Sequence, residues 1–183
     1  MTETYQNDRA GQIPRGIVSG APSKGGARRA PVTEKYAMTA QVPELLLFEG
    51  AQHALCGTPL ESFFAAQGTR PALLVECSNC WRGYQGQWEI RNGKLFLLGV
   101  SGDLADAREF TTDALFPGSE GPIFAGWYSG RLRCPQGELL AYVHQGFESI
   151  HEQDLLIQIC DGFVMGQATR TNQLPPDHEG WTP

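Results

Sequence analysis

Residues 88–98 read WEIRNGKLFLL, and this stretch decides the fold because a turn dipeptide separates two alternating apolar segments. Asn92-Gly93 is typical of a two-residue hairpin loop, since both positions need positive φ and these residue types tolerate it best. That turn pairs Trp88 with Leu97 and Ile90 with Leu95 on one face. The sequence therefore predicts an antiparallel hairpin with an apolar core face and a mixed face that carries Glu89, Arg91, Lys94 and Phe96.

Further turn signals extend this pattern along the chain. Cys134-Pro135-Gln136-Gly137 fits a type I turn between GPIFAGWYSGRLRC and GELLAYVH, and Asp161-Gly162 separates DLLIQIC from FVMGQ. The apolar runs ELLLFEG (44–50) and PALLVEC (71–77) fit strands. Three turn signals between apolar runs predict an α+β fold, dominated by an antiparallel meander-like β-sheet built from hairpins, with one or two short helices.

The helix signal lies between the first two apolar runs. Thr58 is a good N-cap, Pro59 suits the first helical position, Glu61 follows the cap by three residues, and Gly68 suits the end. The segment 101–118 is polar and is predicted to be loop with at most a helical turn. We expect a flexible basic arm over residues 1–43, one globular domain over 44–170, and an irregular tail over 171–183.

Charge narrows the classes of partner. The chain has a net charge of −6, and counting residues up to Pro43 gives +3, which leaves −9 for the remainder. An acidic body makes nucleic-acid binding unlikely and favours a protein partner, possibly a basic one. Neither a signal region nor a membrane-spanning apolar run is visible, and five cysteines make an odd number. We therefore expect a cytoplasmic protein with no membrane partner.

Cys77 and Cys80 form the only C-x-x-C pair, and this spacing suits a tetrahedral zinc ion. A structural zinc site needs two further ligands, and no second close pair of cysteines or histidines is present. A redox role would place the pair at the start of a helix, whereas this pair leads into a predicted strand. We therefore predict no metal and no cofactor, with two semi-buried scaffold residues as the preferred interpretation.

The segment YVHQGFESIHEQD concentrates groups that can exchange protons near neutral pH. If the protein is an enzyme, the candidate catalytic residues are His144, His151, Glu148 and Asp154. The spacing matches no His-Glu-x-x-His motif, and Gly146 disfavours a continuous helix. A solvated loop between strands is the alternative interpretation.

Arginines among aromatic residues mark candidate binding positions. Arginine captures carboxylate or phosphate through two parallel hydrogen bonds, and aromatic faces can stack on guanidinium or on a ligand. Internal pairing with Glu89, Glu138 or Glu152 is the alternative in an acidic domain. The candidate binding residues are Arg82, Tyr84, Arg131, Arg133 and Tyr142.

The ordered motifs WRGY, WEI, FAGWYSGRLRCPQG and YVHQG resemble a widespread group of small, uncharacterised bacterial proteins. The resemblance covers about residues 44–165 and implies a bacterial source and a single domain; it implies no activity and no catalytic residues. The pattern does not typically carry a thiol pair at Cys77 and Cys80. The positions that carry it are Trp81, Arg82, Gly83, Tyr84, Trp88, Glu89, Phe124, Trp127, Gly130, Arg133, Pro135, Gly137, Tyr142, His144 and Gly146.

Together these features predict a protein that acts by binding another protein, without catalysis. An immunity protein, an antitoxin or an accessory subunit would have this acidic body and this mixed sheet face. The alternative is an enzyme that acts on a phosphate-bearing or carboxylate-bearing small molecule. In that case Arg82, Arg131 and Arg133 would hold the anion, and His144 or His151 would transfer the proton.

Overall fold

The hairpin around Asn92-Gly93 lies near the middle of the observed sheet. The computed structural model describes residues 39–174. Strand β3 (Tyr84–Arg91) pairs antiparallel with β4 (Lys94–Asp103), with Trp88 opposite Leu97 and Ile90 opposite Leu95. Asn92 and Gly93 have φ values of 53° and 70°. Both the predicted turn and the predicted register are confirmed.

The sheet has the order β2-β1-β3-β4-β9-β8-β7, and two short strands, β5 and β6, pair with β4 beside this path. Within the described part of the chain, every strand pair is antiparallel except β1 with β3, which is parallel. The predicted sheet-dominated α+β class with short helices is confirmed. The other elements are β1 (Glu44–Phe48), β2 (Ala51–Leu55), α1 (Pro59–Gln67), β5 (Glu109–Phe110), α2 (Thr112–Leu115), β6 (Ile123–Phe124), β7 (Gly130–Ala141), β8 (Ile150–Cys160) and β9 (Phe163–Thr171).

The sheet curls so that its two terminal strands meet. The backbone N–H of Cys56, directly after β2, donates to the carbonyl of Arg133 on β7 at 2.8 Å. Strands β4 and β9 pair only at Lys94 and Phe163. The curl encloses one apolar core, whose largest fully buried side chains include Trp88, Tyr84, Phe110, Leu46, Leu95, Leu97, Leu132, Ile157 and Ile159.

The predicted helix is α1, which begins at Pro59 as expected. The backbone N–H of Glu61 donates to the Thr58 carbonyl, although the Thr58 side chain makes no cap bond. Gly68 ends the helix in the left-handed conformation with φ of 67°. Leu60 and Phe64 are buried, so these two side chains attach the helix to the core.

Two local predictions are wrong. The predicted turn at 134–137 does not form: β7 passes straight through it, and Pro135 lies opposite Asp154 on β8. The pairing register shifts after Gln136, and Gly137 has φ of 77°, so a bulge accommodates the proline and the glycine within one strand. The run 71–77 is not a strand, because its one bridge joins Leu73 to Leu104 and no longer ladder supports it within residues 39–174.

The ends of the described segment overlap the predicted arm and tail. Ala40 forms a parallel bridge with Gly146, and the Gln41 N–H donates to the carbonyl of Gly146 at 2.7 Å. Strand β9 reaches Thr171, the first residue of the predicted tail. The rest of the arm before Thr39 and of the tail after Leu174 lies outside the described residues. Over residues 39–174, no helix combines the length and the apolar character that a membrane span requires.

Candidate functional sites

Asp154 joins three neighbouring strands through an ionic network. Its Oδ1 lies 3.2 Å from Arg133 Nη1, and its Oδ2 accepts from Arg170 at 2.7 Å and from Asn172 at 3.0 Å. Burial raises the pKa of this carboxyl, but the bonds from Arg170 and Asn172 and the charge of Arg133 hold the pKa below its usual value. Two guanidiniums therefore share one carboxylate, which leaves one positive charge uncompensated inside this network.

Arg133 also fixes the loop between β7 and β8. Its Nη2 donates to the carbonyls of Phe147 and Ser149. The other side of the loop is held by the bond between Gln41 and Gly146. The pairing expected between Arg133 and Glu138 or Glu152 is not observed: the Glu152 carboxylate accepts from the backbone N–H of Glu138 instead. Arg133 is thus a structural residue whose side chain is 22% exposed.

Arg82 pairs with Glu44 rather than with Glu89, which pairs with Arg91. The Glu44 carboxyl is 0% exposed, lies 3.2 Å from Arg82 Nε, and accepts from Trp88 Nε1 at 2.6 Å. Burial raises the pKa of Glu44 to about 7, against the opposing effects of the Trp88 bond and the Arg82 charge. The internal pairing expected for Arg82 therefore occurs with a partner that the sequence did not reveal.

Tyr84 is buried beneath this ion pair. Its ring packs edge-on against Phe64 and Phe110, and the Arg82 guanidinium lies 5.6 Å from the ring centroid. Its Oη has no hydrogen-bond partner among the described residues, and burial raises its pKa. Arg131 is exposed on β7. Among the cavities lined by described residues, neither Tyr84 nor Arg131 shares one with Arg133.

The predicted acid–base cluster is divided between strand and loop. His151 and Asp154 belong to β8, whereas His144 and Glu148 are exposed in the preceding loop. The rings of Tyr142 and His144 meet almost at right angles with centroids 4.6 Å apart. Neither histidine makes an ion pair or hydrogen bond with a carboxylate among the described residues, so the orienting carboxylate of a general base is not in place.

The Cys77-x-x-Cys80 segment forms a turn. The Cys80 N–H donates to the Cys77 carbonyl at 3.2 Å, and the Cys80 thiol donates to the Tyr84 carbonyl at 3.3 Å. Gln41 fastens this turn, because its side chain donates to Ser78 O and accepts from the Trp81 N–H. Within residues 39–174, no three side chains of the metal-ligating types come together as a metal site would require.

A cavity of about 440 Å³ lies where the sheet closes on itself. Arg133, Tyr142 and His151 line it, so three of the sequence-predicted residues converge there. The sequence analysis did not select Cys56, which also lines it; burial raises the pKa of this thiol despite the neighbouring Arg133. An adjoining cavity of about 300 Å³ contains Arg82 and shares Gln41, Gly146 and Phe147 with the first.

A second candidate site is an aromatic surface on the outer face of the sheet. Phe96, Phe124 and Phe163 follow one another with ring centroids 5.9 and 5.3 Å apart. The Lys94 ammonium lies 5.8 Å from the Phe124 ring and 5.5 Å from the Phe163 ring, and the Arg91 guanidinium lies 5.2 Å from the Phe96 ring. We call Arg91, Lys94, Phe96, Phe124 and Phe163 the aromatic surface.

Strand β9 continues from the aromatic surface, and beyond Val164 one of its edges pairs with no other strand among residues 39–174. Beyond Val164, its described backbone partners all belong to β8 and the residues flanking it. The Asn172 N–H donates to the Glu152 carbonyl, and alternation from that bond points the backbone N–H and C=O groups of Gln167, Thr169 and Thr171 away from β8. We call residues 167–171 the free edge. Met165, at the bulge just before it, is 67% exposed.

Comparison with protein-family models, curated proteins and solved structures found no match. The resemblance to small uncharacterised bacterial proteins therefore stays a prediction.

Proposed function

We propose that the protein acts by binding another protein, without catalysis, and that the partner contacts β9 and the aromatic surface. The observation that carries the proposal is the continuity of these two features. Phe163 belongs to the aromatic surface and begins β9, and Met165 lies between it and the free edge. Contiguous exposed apolar groups beside polar ones are typical of protein interaction sites.

The free edge supports a specific mode of binding, in which an extended segment of the partner adds as a further strand. Unpaired N–H and C=O groups of an edge strand bind such a segment through main-chain hydrogen bonds. Edge strands are commonly protected by charges or proline, but residues 165–171 contain no proline and one charge, Arg170. That guanidinium is bound to Asp154, so it does little to repel an incoming strand.

The charge of the partner is a separate expectation. The acidic balance of the chain favours a basic partner, of the kind that immunity proteins and antitoxins oppose, and long-range attraction would speed its association. The aromatic surface itself carries two cations, Arg91 and Lys94. A preference for a positively charged partner would therefore come from acidic groups around the contact surface and not from the aromatic surface at its centre.

The catalytic alternative has less support from the described residues. The carboxyl of Asp154 is committed to Arg133, Arg170 and Asn172, and burial raises the pKa of the Cys56 thiol, which disfavours a thiolate nucleophile. The cavity that His151 lines still favours ligand binding.

The test is co-purification from native extract with quantitative mass spectrometry. Met165→Lys places a charge beside the aromatic surface, and Thr169→Pro removes an outward N–H of the free edge. Leu74→Lys is the control, because Leu74 is also an exposed apolar residue and lies outside β9 and the aromatic surface. We expect a stoichiometric partner whose affinity for both β9 variants is at least about tenfold lower than for the wild type, while its affinity for the control is unchanged.

A partner that binds all three variants equally would show that β9 is not its contact surface. A wild-type chain that stays monomeric and partnerless in native extract would contradict protein binding itself. If the chain self-associates and Thr169→Pro abolishes this self-association, the partner at β9 is a second copy of the chain and not another protein. For a basic partner, the affinity should also fall as the salt concentration rises.

A further inference from the structure

The cavity at the closure of the sheet has a composition unlike that of the chain as a whole. The chain contains 20 acidic and 14 basic residues, yet among residues 39–174 no carboxylate lines this cavity. The basic side chains in its lining are Arg133 and His151. Asp154 pairs with both Arg133 and Arg170, and the Glu152 carboxylate, which lies near the lining residue Gly137, is bonded to the Glu138 N–H. Arg133 is the one permanently charged group among the described lining side chains. The cavity is therefore suited to a single negative charge.

An unsatisfied polar atom also favours an anionic ligand in this cavity. Nδ1 of His151 is buried and has no hydrogen-bond partner among the described residues. Leaving a buried polar atom without a partner costs free energy, and a rotation of the ring that brings this nitrogen to a ligand oxygen in the cavity would recover it. Ser149 and Gln136 add neutral polar groups to the same lining. These groups can orient a ligand without adding charge.

The rest of the lining is apolar and fits the body of an organic molecule. Pro43, Ala54, Pro135, Leu139 and Phe147 contribute to it, and Leu139 is half exposed. A volume of about 440 Å³ falls within the range of cavities that hold small organic ligands. A mostly apolar wall with a few convergent polar groups is the usual composition of such sites.

We propose that this cavity binds a small monocarboxylate with an apolar body, its carboxylate contacting His151 and the exposed part of Arg133. A single permanent positive charge matches a carboxylate better than a phosphate monoester, which carries between about one and a half and two negative charges at neutral pH. The site is a binding site, because His151 has no carboxylate partner among the described residues and the Cys56 thiol is not activated.

The test uses isothermal titration calorimetry with octanoate, decanoate, 4-phenylbutyrate and indole-3-acetate, each compared with its primary amide. Octyl phosphate is the dianionic comparison for octanoate. We expect saturable binding of at least one acid, with its amide weaker by about tenfold or more, because a charge-assisted hydrogen bond is lost. Tighter binding of octyl phosphate than of octanoate would overturn the carboxylate assignment.

Variants of the lining locate the binding. His151→Asn should weaken the acid about tenfold, while His144→Asn, at a histidine outside the cavity, should leave it unchanged. Ala54→Phe should fill the cavity, with Ala51→Phe as the control on the same strand. Because Ala54→Phe risks misfolding, a second pair is needed at the half-exposed Leu139.

At that position, Leu139→Glu should weaken the acid several-fold and Leu139→Lys should not, since only the sign of the added charge differs. Equal effects of Leu139→Glu and Leu139→Lys on acid and amide would overturn the electrostatic argument. Absence of saturation below about 10 mM for every acid, a limit that corresponds to affinity of little physiological use, would overturn the site itself.

Discussion

Replacing Glu44 by glutamine tests which of two effects controls the buried ion pair. The carboxyl is fully buried, and its pKa of about 7 lies above the ordinary value of 4.5, although Arg82 is 3.2 Å away. Burial therefore opposes ionisation more strongly than Arg82 and Trp88 support it. Glutamine keeps an acceptor for the Trp88 N–H and mimics the protonated acid at every pH.

The sign of the pH effect follows from linkage. Between pH 4.5 and 7 the unfolded chain has released the Glu44 proton while the folded chain retains it, so the stability contributed by Glu44 is full below pH 4.5 and is lost as pH rises through 7. The separation of about 2.5 pH units corresponds to about 3 kcal/mol at about 1.4 kcal/mol per unit.

The assay is urea denaturation of wild type and Glu44→Gln from pH 4 to 8.5, monitored by circular dichroism. We expect equal stability near pH 4, and at pH 8 a variant more stable than wild type by up to about 3 kcal/mol. Taking the difference between the two proteins cancels the histidines that titrate in the same range. A variant less stable than wild type at pH 8 would refute the reasoning, because the ion pair would then outweigh burial.

A control comes from Glu61, whose negative charge is one of the causes that raise the pKa of Glu44. Glu61→Gln should lower that pKa and shift the loss of stability to lower pH. The side chain of Glu61 is partly exposed and pairs with Arg70, so its removal should have little other effect on the free energy of unfolding. An unchanged pH profile in Glu61→Gln would show that the two carboxyls do not interact.

Three further predictions concern other parts of the molecule. Asp154→Asn should destabilise the protein by about 3 kcal/mol at pH 7 in urea denaturation, and the difference should vanish as pH falls below 4, because the pKa of Asp154 is lowered in the folded state. Gly162→Ala should cost more stability than Gly93→Ala: both glycines have positive φ, but only at Gly162 would a methyl group meet the Ala125 carbonyl at 2.8 Å. A thiol reagent should label the exposed Cys77 and Cys160 quickly in the native chain. It should label Cys134 only after unfolding, because this thiol is buried and its pKa is raised to about 12.

The sequence predicted best those features that depend on neighbouring residues. The Asn92-Gly93 and Asp161-Gly162 turns are local, since positive φ at both positions can be read from the residue types. The turn expected at Pro135 failed because its residues are also compatible with a bulge, and the choice was made by pairing with the distant strand β8. Tertiary pairing overrode a local preference there.

The candidate sites were harder to predict, because they depend on contacts between distant parts of the chain. Arg133 and His151 were selected by residue type and do share a cavity. Their neighbour Cys56 could not be found, because it reaches them only through the closure of β2 on β7. Glu44 offered one signal that was missed: a carboxylate that opens the apolar run ELLLF must be either exposed or paired, and Arg82 is its partner.

The two proposals rest on different residues and can therefore fail independently. Thr169→Pro changes the free edge but no residue that lines the cavity, and Leu139→Glu changes the cavity but neither β9 nor the aromatic surface. Asp154 is the physical link between them, since it bonds Arg133 beside the cavity and Arg170 on β9. Carboxylate binding and protein binding are coupled if occupation of the cavity alters the affinity for the protein partner. In that case Asp154→Asn should abolish the coupling. Coupling that survives in Asp154→Asn must pass through another contact.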